Sequence, residues 1–160
     1  MKFIIILISM ILDLLILNVF NFSIISIPYF YPMLTITSIV YISNLYTYAF
    51  RKNYYLLVII TSIIYDCFAV GNLLLSVPAF MIVAFINMEI KKRFSNNLFN
   101  NIISVITSII IYDLTFHLLL VSVNYQSIDF YMLFYKITHS LIINIIYIVI
   151  MFLVLKNKKA

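Results

Sequence analysis

Tryptophan is missing from this chain, glycine and cysteine occur once each, and proline occurs three times. A single cysteine, Cys67, excludes an intrachain disulfide and offers no metal-ligand pattern. A single glycine, Gly71, excludes GxxxG helix pairing and a phosphate-cradling P-loop. HExxH, CxxC and a nucleophile elbow are absent too. Charge is the largest deficit: only 9% of the 160 residues are charged, five of them acids. Soluble domains carry about a quarter charged residues, so this chain has too little polar material to cover a water-facing surface. Apolar residues make up 66% instead, and the mean hydropathy is +1.18. The expectation is an all-α integral membrane protein.

The net charge of +5 is a topology signal here, with no nucleic acid implied, because the positive residues sit in short runs between apolar stretches. The apolar runs predict six transmembrane helices over about 3–20, 33–50, 54–70, 73–90, 98–123 and 130–155, one domain in all. Each run suits a hydrocarbon core of about 30 Å at about 1.5 Å per residue. The first run resembles a signal peptide, but no small-x-small site follows it and the apolar pattern resumes after Asp13, so it reads as an uncleaved span. With the N-terminus inside, Lys2, Arg51-Lys52, Lys91-Lys92-Arg93 and the lysines of 156–159 all fall on one side. The opposite loops, 21–32, 71–72 and 124–129, contain no Lys or Arg. This positive-inside bias predicts both termini in the cytoplasm and a multi-pass protein of a plasma membrane.

Two near copies of one motif stand out: Thr61-Ser62-Ile63-Ile64-Tyr65-Asp66, followed by Gly71-Asn72, and Thr107-Ser108-Ile109-Ile110-Ile111-Tyr112-Asp113. With Asp13 they place one carboxylate in each of the first, third and fifth spans. Such a group costs about 2.5–3.5 kcal/mol on insertion scales and usually faces the bundle interior. Asp66 is expected roughly 7 Å, and Asp113 roughly 15 Å, from the outer ends of their helices. His117 lies four residues after Asp113, on the same face. Lys136, in the last span, falls at a similar depth, so Asp113, His117 and Lys136 can meet if the last two spans form a hairpin. Three readings stand side by side for these acids: a polar clamp bonded to Ser, Thr, Tyr or Asn on neighbouring helices, an interaction-surface switch, and a proton or substrate site. Lys136 can also snorkel to the interface, and His139 reads as a helix–helix hydrogen bonder. An enzyme would have to be built from Asp66, Asp113, His117 or His139, and no spacing among them matches a known mechanism. The expectation is a protein with no enzymatic activity and no cofactor.

The first outer connection, Ile24-Ile25-Ser26-Ile27-Pro28-Tyr29-Phe30-Tyr31-Pro32, is apolar and aromatic and is broken by two prolines. Phe30-Tyr31-Pro32 opening a long second span, the basic turn Arg51-Lys52, the run Ser62 to Phe68 around Asp66, the following Gly71, and the run Ser108 to Leu114 together resemble the bacterial rod shape-determining protein MreD family. The similarity covers about residues 3–155. The family usually has more glycines before its first Asp, where this chain has Thr61 and Ser62. The resemblance implies an S-component-like six-helix bundle in the lipid bilayer. It also implies a non-enzymatic subunit that docks a single-span MreC partner and helps couple cytoplasmic MreB filaments to peptidoglycan synthesis. Packing and partner-docking candidates are then Asp13, Ile27, Pro28, Tyr29, Pro32, Asp66, Gly71, Asn72, Asp113, His117 and Lys136. The alternative is a substrate-binding S component of an energy-coupling-factor vitamin transporter, which shares the fold. Basic clusters on the inner side can touch MreB or anionic lipids, or set topology alone.

Overall fold

The protein, described as a computed structural model over residues 2–21, 32–70, 74–125 and 127–156, contains six α-helices and no strand among those residues. They are α1 (Lys2–Asn21), α2 (Leu34–Ser43), α3 (Arg51–Tyr65), α4 (Ser76–Arg93), α5 (Leu98–Ser122) and α6 (Phe130–Lys156). A 3-10 turn, Tyr48–Phe50, leads into α3, and a π-helical turn, Asp66–Val70, extends it. Ile27, Pro28, Tyr29, Gly71 and Asn72 lie outside the described residues. Pro32 is described; it is buried directly ahead of α2.

The centre of the bundle is α2. Every one of its residues is buried, and it packs against α1, α4, α5 and α6. A helix apolar on all sides belongs in an interior, and α2 adds only short hydroxyl side chains and one Tyr to Ile, Val and Leu. The surrounding helices turn large apolar side chains outward. Leu56, Phe85, Leu118, Phe134 and Ile142 are all exposed. Both α5 and α6 are long and apolar enough to cross a membrane.

The continuous helix expected over 33–50 is not formed: α2 ends at Ser43, and Asn44 begins a turn. At about 1.5 Å per residue, its 10 residues span about 15 Å, half a hydrocarbon core. Past Ser43 the backbone tightens into a turn, with Asn44 N, Leu45 N and Tyr46 N donating to Tyr41 O, Ile42 O and Ser43 O, and side chains from other elements hold that turn. Lys91 Nζ donates to Ser43 O at 2.7 Å and also to Tyr46 O. Lys2 Nζ donates to Leu45 O at 3.1 Å, and the Asn44 side-chain amide donates to Asn101 Oδ1 at 2.6 Å. Cations at a helix C-terminus also complement its dipole. Burial, and then the nearby Lys2 charge, pull the Lys91 ammonium below the usual lysine value.

These contacts gather Lys2, Arg51, Lys91 and Lys92 at one end of the bundle, with Arg51 and Lys92 both over the Tyr48 ring. The same-side placement expected from the sequence is therefore met by these four residues. At the other end, α5 closes with a left-handed Asn124 (φ 57°). Tyr125 N donates to Leu120 O at 2.9 Å and Asn124 N to Val121 O at 3.0 Å, the paired bonds of a Schellman cap. Interhelical polar pairs tie the bundle together: Ser9 with Tyr147 (2.7 Å), Thr37 with Asn144 (2.7 Å) and Asn87 with Ser108 (2.7 Å).

Candidate functional site

A helix leaves four N–H groups without intrahelical partners at its start. Where that start is buried, the protein itself must supply acceptors. Neither α2 nor α4 supplies one locally: the residues at their cap positions are Met33 and Leu75, and neither makes a side-chain cap. Both helices borrow a carboxylate from the helix before them.

Asp13 of α1, wholly buried, performs this for α2. Its Oδ1 accepts from Leu34 N at 2.8 Å. Its Oδ2 accepts from Thr35 N at 2.8 Å and from the Thr35 hydroxyl at 2.6 Å. The lengths agree: Asp13 lies 11 residues past Lys2, about 17 Å along α1, close to the length of α2. Asp66 performs the same task for α4. Ser76 N points at both of its carboxylate oxygens, at 3.1 and 3.3 Å, and Ser76 Oγ donates to Ser62 O. The π turn at Asp66–Val70 lies at this junction, as does Leu74 with a left-handed φ of 67°, unfavourable for a branched residue. A carboxylate on a helix N-terminus is favoured by both the free N–H groups and the dipole. Of the polar-clamp reading, the structure shows one side-chain partner, the Thr35 hydroxyl on Asp13; the other donors to Asp13 and Asp66 are backbone amides of the next helix.

Asp113 breaks the pattern. The N-terminus of α6 has its own cap, Asp129, whose Oδ1 accepts from Met132 N at 3.0 Å. Asp113 is buried, 5% exposed, and its Oδ2 has no hydrogen-bond partner among the described residues. It lines a partly open cavity of about 210 Å³ between α5 and α6, together with Phe116, His117, Leu120, Leu133 and Lys136. The structure therefore brings Asp113, His117 and Lys136 together, as the hairpin geometry predicts. The Lys136 charge acts on Asp113, while His117 Nε2 accepts from Asp129 N at a long 3.5 Å. His139 is not in this group and does not bridge helices in the bonds it makes: its Nδ1 contacts Tyr135 O (2.9 Å) and Thr138 Oγ1 (3.2 Å), both in α6.

The two Tyr-Asp copies are joined by a residue that the motif does not reveal. Phe80 of α4 packs on both Tyr65 (ring centroids 5.4 Å) and Tyr112 (5.2 Å), and Tyr112 stacks on Phe116 (5.6 Å). Offset and edge contacts at these distances are favourable aromatic geometries. Asp129 was also missed as a functional residue, although an Asp directly before an apolar run is the sequence signature of a helix start. No protein family, curated protein or solved structure matches the chain.

Proposed function

We propose that this chain is a non-enzymatic, multi-pass subunit of the bacterial cell-elongation machinery, of the kind the MreD resemblance implies. It lies in the plasma membrane with both ends cytoplasmic and crosses six times, α2 supplying the inner half of the second crossing. It docks an MreC-like single-span partner and helps couple MreB filaments to peptidoglycan synthesis. The observation that carries the reading is the use made of Asp13 and Asp66: both are consumed in capping the starts of α2 and α4. Intramembrane acids employed this way support a rigid scaffold. The apolar outer surface and the gathering of Lys2, Arg51, Lys91 and Lys92 at one end support the crossings and their orientation.

The vitamin-transport alternative has one observation in its favour, the cavity at Asp113. Its volume of about 210 Å³ is below the ≈ 300–1,000 Å³ of pockets that hold drug-sized ligands, which favours the scaffold. The test is disulfide or maleimide crosslinking to a co-expressed MreC-like protein in a Cys67→Ser background. Cysteines at Ile27 and Asn72 are expected to give adducts. Adducts only from the 51–53 turn, or a vitamin co-purifying with the protein, would overturn the reading.

A further inference from the structure

A cavity of about 370 Å³ opens at the basic end of the bundle, between the start of α1 and the turn that leads into α3. Lys2, Leu45, Tyr46, Thr47, Phe50 and Asn53 line it, so its one charge is positive and no acid faces it. The Lys2 ammonium lies 3.6 Å from the centre of the Tyr46 ring and donates to Leu45 O. An ammonium has three donors, so that bond does not use up its capacity. Thr47 and Asn53, both exposed, add a hydroxyl and an amide. Neither α1 nor α3 has an acid in its first turn, and Phe50 makes no side-chain cap on α3. The positive ends of both helix dipoles therefore lie at this end with no acid of their own, whereas α2, α4 and α6 each receive a carboxylate.

The seam between α1 and α3 continues away from this cavity as a groove lined by Phe3, Ile6, Leu7, Met10, Thr61 and Ile64. Thr61 turns its hydroxyl back to Leu57 O at 2.8 Å, so the groove presents only apolar atoms. Met10 lies about 12 Å along α1 from Lys2, and Ile64 about 17 Å along α3 from Asn53, so the groove runs from the basic end toward the middle of the bundle. Its volume is only about 20 Å³. That is too narrow for a helix, whose diameter with side chains is about 10–12 Å, and it suits a single methylene chain.

We infer that the α1–α3 seam holds an anionic phospholipid of the inner leaflet, its head group in the basic cavity against Lys2 and Asn53 and one acyl chain in the groove. A cationic, polar compartment at the membrane surface and a narrow apolar one beneath it match a molecule with its parts in the same order. A free anion has no use for the groove, and an acidic peptide does not fill it. Basic pockets between membrane helices on the cytoplasmic side are places where anionic head groups bind. The inference rests on the proposed crossing and orientation of the chain and is independent of its docking to an MreC-like partner.

The test uses the full chain in phosphatidylcholine nanodiscs carrying a trace of spin-labelled phosphatidylglycerol or spin-labelled phosphatidylcholine. The motionally restricted fraction of each label gives the relative affinity of the two lipids. Phosphatidylglycerol is expected to be preferred, and Lys2→Gln to lower the preference about fivefold. Asn53→Leu, at an exposed position, is expected to lower it about threefold and keeps the test valid if Lys2→Gln inserts poorly. Lys52→Gln removes a cation that does not line the cavity and is expected to leave the preference nearly unchanged. Equal restriction of the two labels overturns the inference. So does an equal loss from Lys2→Gln and Lys52→Gln, which would assign the preference to diffuse surface charge. Saturable binding of free glycerol phosphate without a lipid preference would assign a soluble anion and overturn it too. A chain that fails to assemble into discs overturns the membrane reading itself, whereas one that assembles and shows no preference overturns this inference alone.

Discussion

Helices α3 and α5 carry near copies of one motif, ending Tyr65-Asp66 and Tyr112-Asp113. Both tyrosines pack on Phe80, so the copies begin from related surroundings. They then diverge because the next helix starts differently in each case. After Asp66 comes a helix whose cap position is Leu75, with no side chain able to accept a bond, so the carboxylate serves Ser76 N. After Asp113 comes a helix with Asp129 in place, so the carboxylate is left over and faces a cavity. A motif of one acid in an apolar helix therefore has no fixed role. The next helix start decides whether the acid is spent on capping or left over.

This comparison can be broken by exchanging the roles of the acids. The largest effect is expected at Asp13→Leu, which leaves two buried amides, Leu34 N and Thr35 N, without acceptors. At about 1–3 kcal/mol per unsatisfied buried group, the loss is about 2–6 kcal/mol, read as the unfolding free energy in mild detergent with added denaturing detergent. Asp66→Leu, with one longer bifurcated contact, is expected to cost about 2 kcal/mol. Asp66→Asn should cost less, because the amide keeps an acceptor oxygen. If Asn proves as damaging as Leu, the charge on the helix dipole outweighs the hydrogen bond.

A smaller loss, about 1 kcal/mol, is expected for Asp129→Ala, which removes the N-cap of α6 from the surface of the bundle. Hydrogen exchange at Met132 should rise with it. A larger loss would show that α6 depends on this cap as α2 depends on Asp13. Smallest of all is Asp113→Leu. Replacing a carboxylate that holds an unsatisfied buried oxygen with an apolar group facing open space is expected to leave stability within about 0.5 kcal/mol, or to raise it. A loss comparable with that of Asp66→Leu would erase the distinction between the two copies.

Much of the architecture is set by local sequence. Asn124 ends α5 in the left-handed conformation that Asn tolerates. Lys91 and Lys92 close α4 where a cationic helix end is favoured. The coming together of Asp113, His117 and Lys136 results from a four-residue spacing on one helix and a hairpin into the next. The shortness of α2 has no such local origin. Residues 33–50 read as one apolar run, and nothing local shows that Ser43 is its last helical residue. The turn that follows Ser43 is held by Lys2 and Lys91, which lie 43 and 48 residues from the carbonyls of Leu45 and Ser43. Part of the capping scheme was written in the chain, as the absence of any capping residue at Met33 and Leu75 and the presence of Asp129. Which distant acid would fill each gap was not.

The sequence alone therefore determined an all-helical chain with an apolar exterior, a group of basic residues at one end and its buried acids on the first, third and fifth helices. Composition and short-range spacing are enough for that, because helix formation and the sorting of apolar from charged residues depend on near neighbours. Only the tertiary structure decided that α2 is a half-length central helix, that Asp13 and Asp66 are spent on helix starts, and that Asp113 is spare. A buried helix end takes its acceptor from whichever chain segment packing brings within about 3 Å, and that choice is made in three dimensions.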